Sequence, residues 1–138
     1  MKTVLILCTG NSCRSQMAEG WLKYFAPELK VFSAGTKPEE VNKYSVQVMK
    51  ESGVNISHHT SNNINEYVST NIDFLITVCD NAKEKCPVFP GLVKRYHHSF
   101  VDPANAKGTD KEKLLVYKKV CGEIKDYMRF FVENEINK

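Results

Sequence analysis

Cys8, Thr9, Gly10, Asn11, Ser12, Cys13 and Arg14 form a run in which five residues separate a cysteine from an arginine. Small, turn-tolerant residues between them let several backbone N–H groups point inward. Such a nest binds an anion where a helix begins. Gly10 and Asn11 are residue types that accept the left-handed backbone a nest requires. Arg14 adds a planar fork that matches the oxygens of a tetrahedral oxyanion. The same electropositive setting favours a thiolate at Cys8, and the Ser15 hydroxyl is placed to bond its sulfur. A sulfur nucleophile beneath a bound oxyanion is what attack on its central atom requires. Cys13, inside the loop, reads as packing rather than as a second nucleophile.

Cys79 and Cys86 form a second pair, separated by the polar stretch Asp80-Asn81-Ala82-Lys83-Glu84-Lys85. A helix would hold their Cα atoms roughly 10 Å apart, and an extended chain further. A disulfide spans only about 4.4–6.8 Å. With no apolar stripe tying it to a core, the segment reads as one that loops out when the two sulfurs join. Zinc ligation and inert packing are the other readings, although zinc sites favour two to four residues between cysteines. Asp102 precedes Pro103, which biases it towards an extended loop. A carboxylic acid there could protonate a departing oxygen if a semi-buried site keeps it protonated. Taken alone, Asp-Pro reads first as a common turn signal. Cys121 and Trp21 read as core, and His58-His59 and His97-His98 as solvated or structural.

The elements that must position these groups alternate. Strands are expected at Thr3 to Leu7, Val31 to Ala34, Phe74 to Val78 and Val93 to His97. Helices are expected at Ser15 to Phe25, at Val41 to Ser52 with Gly53 as its stop, and at Ile64 to Thr70. The last helix opens on a capping box at Thr109 and Glu112 and continues through Leu114, Val120, Ile124, Tyr127, Met128 and Phe131. The alternation implies an α/β fold, a parallel sheet covered on both sides. Such sheets bind ligands beyond the carboxyl ends of their strands, where Cys8, Cys79 and Asp102 all fall.

The 138 residues are 42% apolar and 25% charged, with 19 basic and 16 acidic side chains. That composition excludes wholesale disorder, and a net charge of +3 is too mild to argue for nucleic acid or an anionic membrane. No apolar run approaches the roughly 18 residues of a membrane span. Val4-Leu5-Ile6-Leu7 is too short for a signal-peptide core, so a cytoplasmic protein is expected. Five cysteines, an odd count in a reducing compartment, argue for thiol chemistry rather than a disulfide framework.

The stretch Cys8-Thr9-Gly10-Asn11-Ser12-Cys13-Arg14-Ser15-Gln16-Met17-Ala18-Glu19-Gly20-Trp21 resembles the signature of thioredoxin-coupled arsenate reductases, which share their fold with low-molecular-weight protein tyrosine phosphatases. The likeness extends through Ser33-Ala34-Gly35, His59-Thr60-Ser61, Thr77-Val78-Cys79 and Asp102-Pro103-Ala104. It implies one domain over 1–138, a three-layer sandwich around a four-stranded parallel sheet. It also implies a substrate loop of Thr9, Gly10, Asn11, Ser12, Cys13, Arg14 and Ser15. By the resemblance, Cys8 attacks arsenate, Cys79 attacks Cys8 and releases arsenite, and Cys86 attacks Cys79. The resulting disulfide is presented to thioredoxin, and Asp102 is the general acid. A low-molecular-weight phosphatase working through Cys8 is the alternative. Those phosphatases typically carry an aromatic pair after Asp-Pro, whereas Ala104 and Asn105 stand here. No cofactor is implied, and a monomer is expected. Some members bind a monovalent cation; Asn11, Glu19 and Ser33 match that set, but its aspartate falls at Asn62. The family's His-Trp-Gly-Phe before the acid is here His97-His98-Ser99-Phe100, which alters the wall near Asp102.

Overall fold

Four short apolar or edge runs pair side by side in one sheet. The computed structural model describes residues 2–80 and 88–137. Its strands are β1 (Thr3–Cys8), β2 (Lys30–Gly35), β3 (Phe74–Thr77) and β4 (Lys94–His97), in the order β2-β1-β3-β4. All three pairings are parallel. The all-parallel four-stranded sheet expected from the alternation is present, with β1 extended one residue to Cys8 and β2 to Gly35.

Period-two alternation divides the core. Val4, Ile6 and Cys8 face one layer and Leu5 and Leu7 the other. The first layer holds helices α1 (Arg14–Phe25), α2 (Lys43–Glu51) and α3 (Asp110–Phe131), whose Met17, Trp21, Met49, Ile124 and Met128 fill it. The second is thinner, built from Ile64, Ile72, Phe89 and the strand residues Ala34 and Leu75.

Local chemistry sets the element ends. Thr109 and Glu112 form the expected capping box at α3. Asn42 caps α2 by accepting from the Tyr44 and Ser45 N–H groups, so that helix starts two residues later than the expected Val41. Gly53, at φ 91°, ends it. The helix expected over Ile64 to Thr70 shrinks to a single 3-10 turn, Ile64–Tyr67. There Asn63 and Glu66 cap each other, satisfying a short turn's donors without a helix to follow. β4 is an edge strand with mostly exposed side chains, which explains its weak apolar pattern.

The strand order reverses between β1 and β3, and a ligand crevice opens at the carboxyl ends of that pair. Cys8 ends β1 there. The Val78 N–H continues the ladder to the Leu7 carbonyl at 3.0 Å, carrying Cys79 to the same end.

Candidate active site

The segment from Thr9 to Cys13 joins β1 to α1 with every carbonyl bonded. Thr9, Gly10 and Ser12 accept from the N–H groups of Lys37, Glu39 and Asn42 at 3.0, 2.9 and 3.0 Å. The Asn11 carbonyl accepts from Gln16 Nε2 at 2.9 Å and Ser61 Oγ at 2.9 Å, and that of Cys13 from Met17 N–H. With these carbonyls held by other partners, the loop is fixed in a shape that can turn backbone N–H groups towards an anion. One residue supplies the left-handed turn, Asn11 at φ 50°; Gly10 does not use that region. Gly35 is required for a different reason. A Cβ there would meet the Thr9 carbonyl oxygen at 2.3 Å, so β2 must end in glycine for the loop to pass.

Asn11 is fully buried and works with its whole side chain. Its Nδ2 donates to Ser15 Oγ at 2.7 Å and Ser33 Oγ at 2.9 Å, and its Oδ1 accepts from Asn62 N–H at 2.8 Å. The Ser15 oxygen is thereby used as an acceptor. Towards a Cys8 thiolate, 2.9 Å away, it can only donate its own hydrogen. The Asn11 N–H donates to the same sulfur at 3.2 Å. Two donors thus converge on a sulfur that is 2% exposed.

Cys8, Thr9, Gly10, Ser12, Cys13 and Arg14 line a cavity of about 230 Å³, closed further by Glu39, Asp102, Ala104 and Asn105. That volume is below the usual range for drug-sized ligands and suits a small oxyanion. Of the expected substrate loop, Asn11 and Ser15 sit behind the cavity wall and act through the Cys8 sulfur. Arg14 is buried; its Nη1 donates to the Phe100 carbonyl at 3.1 Å and its Nη2 lies 3.5 Å from Asp102 Oδ2. Asp102 is half-buried and caps the 3-10 turn Pro103–Asn105 through Ala104 N–H to Oδ1 at 3.0 Å. His98 stacks on Phe100, 4.3 Å between centroids, so the altered wall near the acid is a histidine–phenylalanine stack.

Cys13 is buried, with Sγ 3.6 Å from the Tyr117 hydroxyl. Burial, more than any neighbour, pushes its thiol up from the ordinary range. The Tyr117 phenol is raised well beyond the usual tyrosine range, first by burial and then by Cys13. Cys121 packs against Met49 Sδ, and burial pushes its thiol up too. Cys79 is buried and disulfide-bonded, whereas Cys8, Cys13 and Cys121 are free. Cys86 and the loop-out segment expected around it fall in 81–87, outside the described residues.

The residues that match the family's cation set hold other partners here. Glu19 already receives Lys23 Nζ at 2.6 Å and the Ser33 hydroxyl at 2.6 Å. The side chain of Asn62 is turned away, donating to Glu66 at 3.1 Å and accepting from Thr60 at 2.9 Å. A lysine ammonium thus neutralises the carboxylate a cation would need. His59 stands beside it, with Nδ1 3.0 Å from Gln16 Oε1 and Nε2 3.7 Å from Glu19; it is structural. Burial lowers its pKa from 6.5, partly opposed by Glu19.

Sequence reasoning gave no role to Gln16, Ser61 or Glu39. Gln16 carried a signal, a polar residue directly before the apolar Met17 and Ala18, and the fold buries it fully. Ser61 and Glu39 reach the loop across long sequence separations and left none.

A family model described as "Low molecular weight phosphotyrosine protein phosphatase" matches residues 3–138. An arsenate reductase from Bacillus subtilis (strain 168) is 47% identical over 133 residues, covering 96% of each chain. A solved arsenate reductase in its oxidized state superposes with a TM-score of 0.79 at 27% identity, covering 96% of this chain and 98% of that one. Another, in the phosphate binding state, does so with a TM-score of 0.76, 27% identity and the same coverage. Among the described residues, no helix is long and apolar enough to cross a membrane.

Proposed function

Because the chain belongs to the low molecular weight phosphotyrosine protein phosphatase family, alongside relatives named arsenate reductase, we propose that it reduces arsenate to arsenite through a relay of three cysteines. Arsenate binds in the loop against its N–H groups and Arg14. The Cys8 thiolate attacks arsenic; an As–S bond forms and one As–O bond breaks, the oxygen leaving as water with a proton from Asp102. Cys79 then attacks the Cys8 sulfur. The S–S bond forms, the As–S bond breaks, and its electron pair stays on arsenic, which departs as arsenite. Cys86 attacks Cys79, forming the Cys79–Cys86 disulfide and freeing Cys8. A dithiol reductant of the thioredoxin type restores both thiols and becomes a disulfide itself.

The observation that carries this reading is the Cys8 sulfur at a small oxyanion cavity, receiving the Asn11 N–H and the Ser15 hydroxyl. Exposed Ala104 and Asn105 favour a bare oxyanion, since neither offers an aromatic wall to a phosphotyrosine ring. The disulfide-bonded state of Cys79 supports a redox role for it. The same loop can hydrolyse aryl phosphates through Cys8 alone, which gives the test its contrast. Cys79→Ser is expected to lower thioredoxin-driven arsenate turnover by roughly 10³-fold or more while p-nitrophenyl phosphate hydrolysis persists. Cys8→Ser is expected to lose both. Full arsenate turnover by Cys79→Ser would overturn the relay.

A further inference from the structure

The oxyanion cavity holds a carboxylate that the relay does not use. Glu39 lines it beside Gly10 and Ser12. Main-chain bonds set its place: the N–H groups of Lys37, Glu39 and Asn42 lace this segment onto the Thr9, Gly10 and Ser12 carbonyls. The Glu39 carboxyl carbon comes within 3.8 Å of where a Cβ on Gly10 would stand. Asp102 is the cavity's other acid, but its two oxygens face Ala104 N–H and Arg14. Among the described residues, no hydrogen bond or ion pair holds the Glu39 carboxylate. It is the acceptor left for a ligand.

An ionised carboxylate accepts hydrogen bonds and donates none. In the wall of an anion cavity it repels any oxyanion by charge, and only an oxyanion bearing a hydroxyl returns a hydrogen bond to it. Arsenate and phosphate keep at least one proton at neutral pH. Sulfate has the same shape and nearly the same size but keeps none, so size cannot separate them. We propose that Glu39 is a specificity-determining residue that selects protonated tetrahedral oxyanions and rejects sulfate. This rests on reading the loop as the oxyanion site. A site that accepts a substrate hydroxyl penalises an isostere lacking it, through the repulsion as much as through the lost bond. Glu39 is exposed, so water screens the effect to about tenfold rather than the far larger ratios of buried sites.

The test is calorimetric titration of the full reduced chain with potassium phosphate and with potassium sulfate, at neutral pH and fixed ionic strength. The wild-type protein is expected to bind phosphate roughly tenfold or more tighter than sulfate. Glu39→Gln, whose amide can donate to sulfate, should cut that ratio by about tenfold, mainly through tighter sulfate binding. Glu39→Ala, which removes the charge without adding a donor, should shift it in the same direction. A wild-type protein with no preference, or a Glu39→Gln ratio within about twofold of wild type, would overturn the proposal. Arsenate turnover is followed separately. A chain that selects phosphate through Glu39 yet reduces no arsenate would sink the proposed function and leave this selectivity standing.

Discussion

Arg14 and Asp102 meet at 3.5 Å in the cavity wall, yet the arginine side chain is 4% exposed and the aspartate 28%. The difference runs through their surroundings. On the Arg14 side, loop carbonyls from Thr9 to Cys13 are all bonded, and Asn11 and Gln16 are buried in a polar network reaching Ser33, Glu19, His59 and Thr60. On the Asp102 side, a three-residue 3-10 turn, one ion pair and a ring stack suffice. The charge on a bound oxyanion is fixed in position, so the groups that stabilise it gain by being held still. A proton donor has to reach a leaving oxygen and gains less from rigidity.

The sharpest way to break this contrast is at Asn11. Asn11→Ala places a Cβ-bearing residue with no polar side chain at φ 50° and removes three hydrogen bonds, two of them fully buried. A loss of about 3–5 kcal/mol of stability is expected, with phosphate affinity falling alongside it. Asn11→Gly restores the backbone but not the bonds, and should recover about 1 kcal/mol. Urea unfolding of both variants checks this. An Asn11→Ala protein within about 1 kcal/mol of wild type would mean the loop does not depend on its buried network.

The open side should respond in kinetics rather than stability. Asp102→Asn retains a side-chain oxygen for the Ala104 N–H but cannot supply the proton. Turnover is expected to fall by about 10²-fold or more. Unfolding free energy should stay within about 1 kcal/mol, since the lost ion pair is long, its aspartate is partly exposed, and Arg14 keeps the Phe100 carbonyl. Steady-state arsenate kinetics and urea melts on the same preparation give both readings. A destabilisation as large as that of Asn11→Ala would erase the contrast between the two walls.

The same division separates what the sequence disclosed from what it withheld. Cys8 and Arg14 were legible because a nest is built by consecutive residues, and α3 because its capping box and apolar stripe are local too. The Ile64 turn was overread: its apolar spacing fits a helix, but the reciprocal Asn63–Glu66 cap satisfies one turn and stops there. β4 was faint because an edge strand needs no apolar face. Glu39, Ser61 and Tyr117 reach the loop from 29, 50 and 104 residues away from Gly10, Asn11 and Cys13 respectively. Local pattern assigns none of them to the loop, since tertiary folding alone creates the contact. The cation set shows the converse. Three of four residue types matched, and Lys23, one turn along α1 from Glu19, supplies the charge instead.

The smallest expected effect tests whether the buried network carries a pH dependence of its own. His59 donates to or accepts from Gln16 through Nδ1, and burial lowers its pKa below 6.5 despite Glu19 nearby. The unfolded chain therefore binds a proton on this group at a higher pH than the folded chain does. Its stabilising contribution is complete above about pH 6.5 and is lost as pH falls from there through the lower folded value. His59→Asn keeps a polar atom near the position of Nδ1 and removes the titration. Its stability should fall less steeply than that of wild type on going from neutral pH into the acid range. Urea midpoints for both proteins across that range decide the matter. Parallel slopes would place the pH dependence elsewhere and leave the rigid wall indifferent to this histidine's charge.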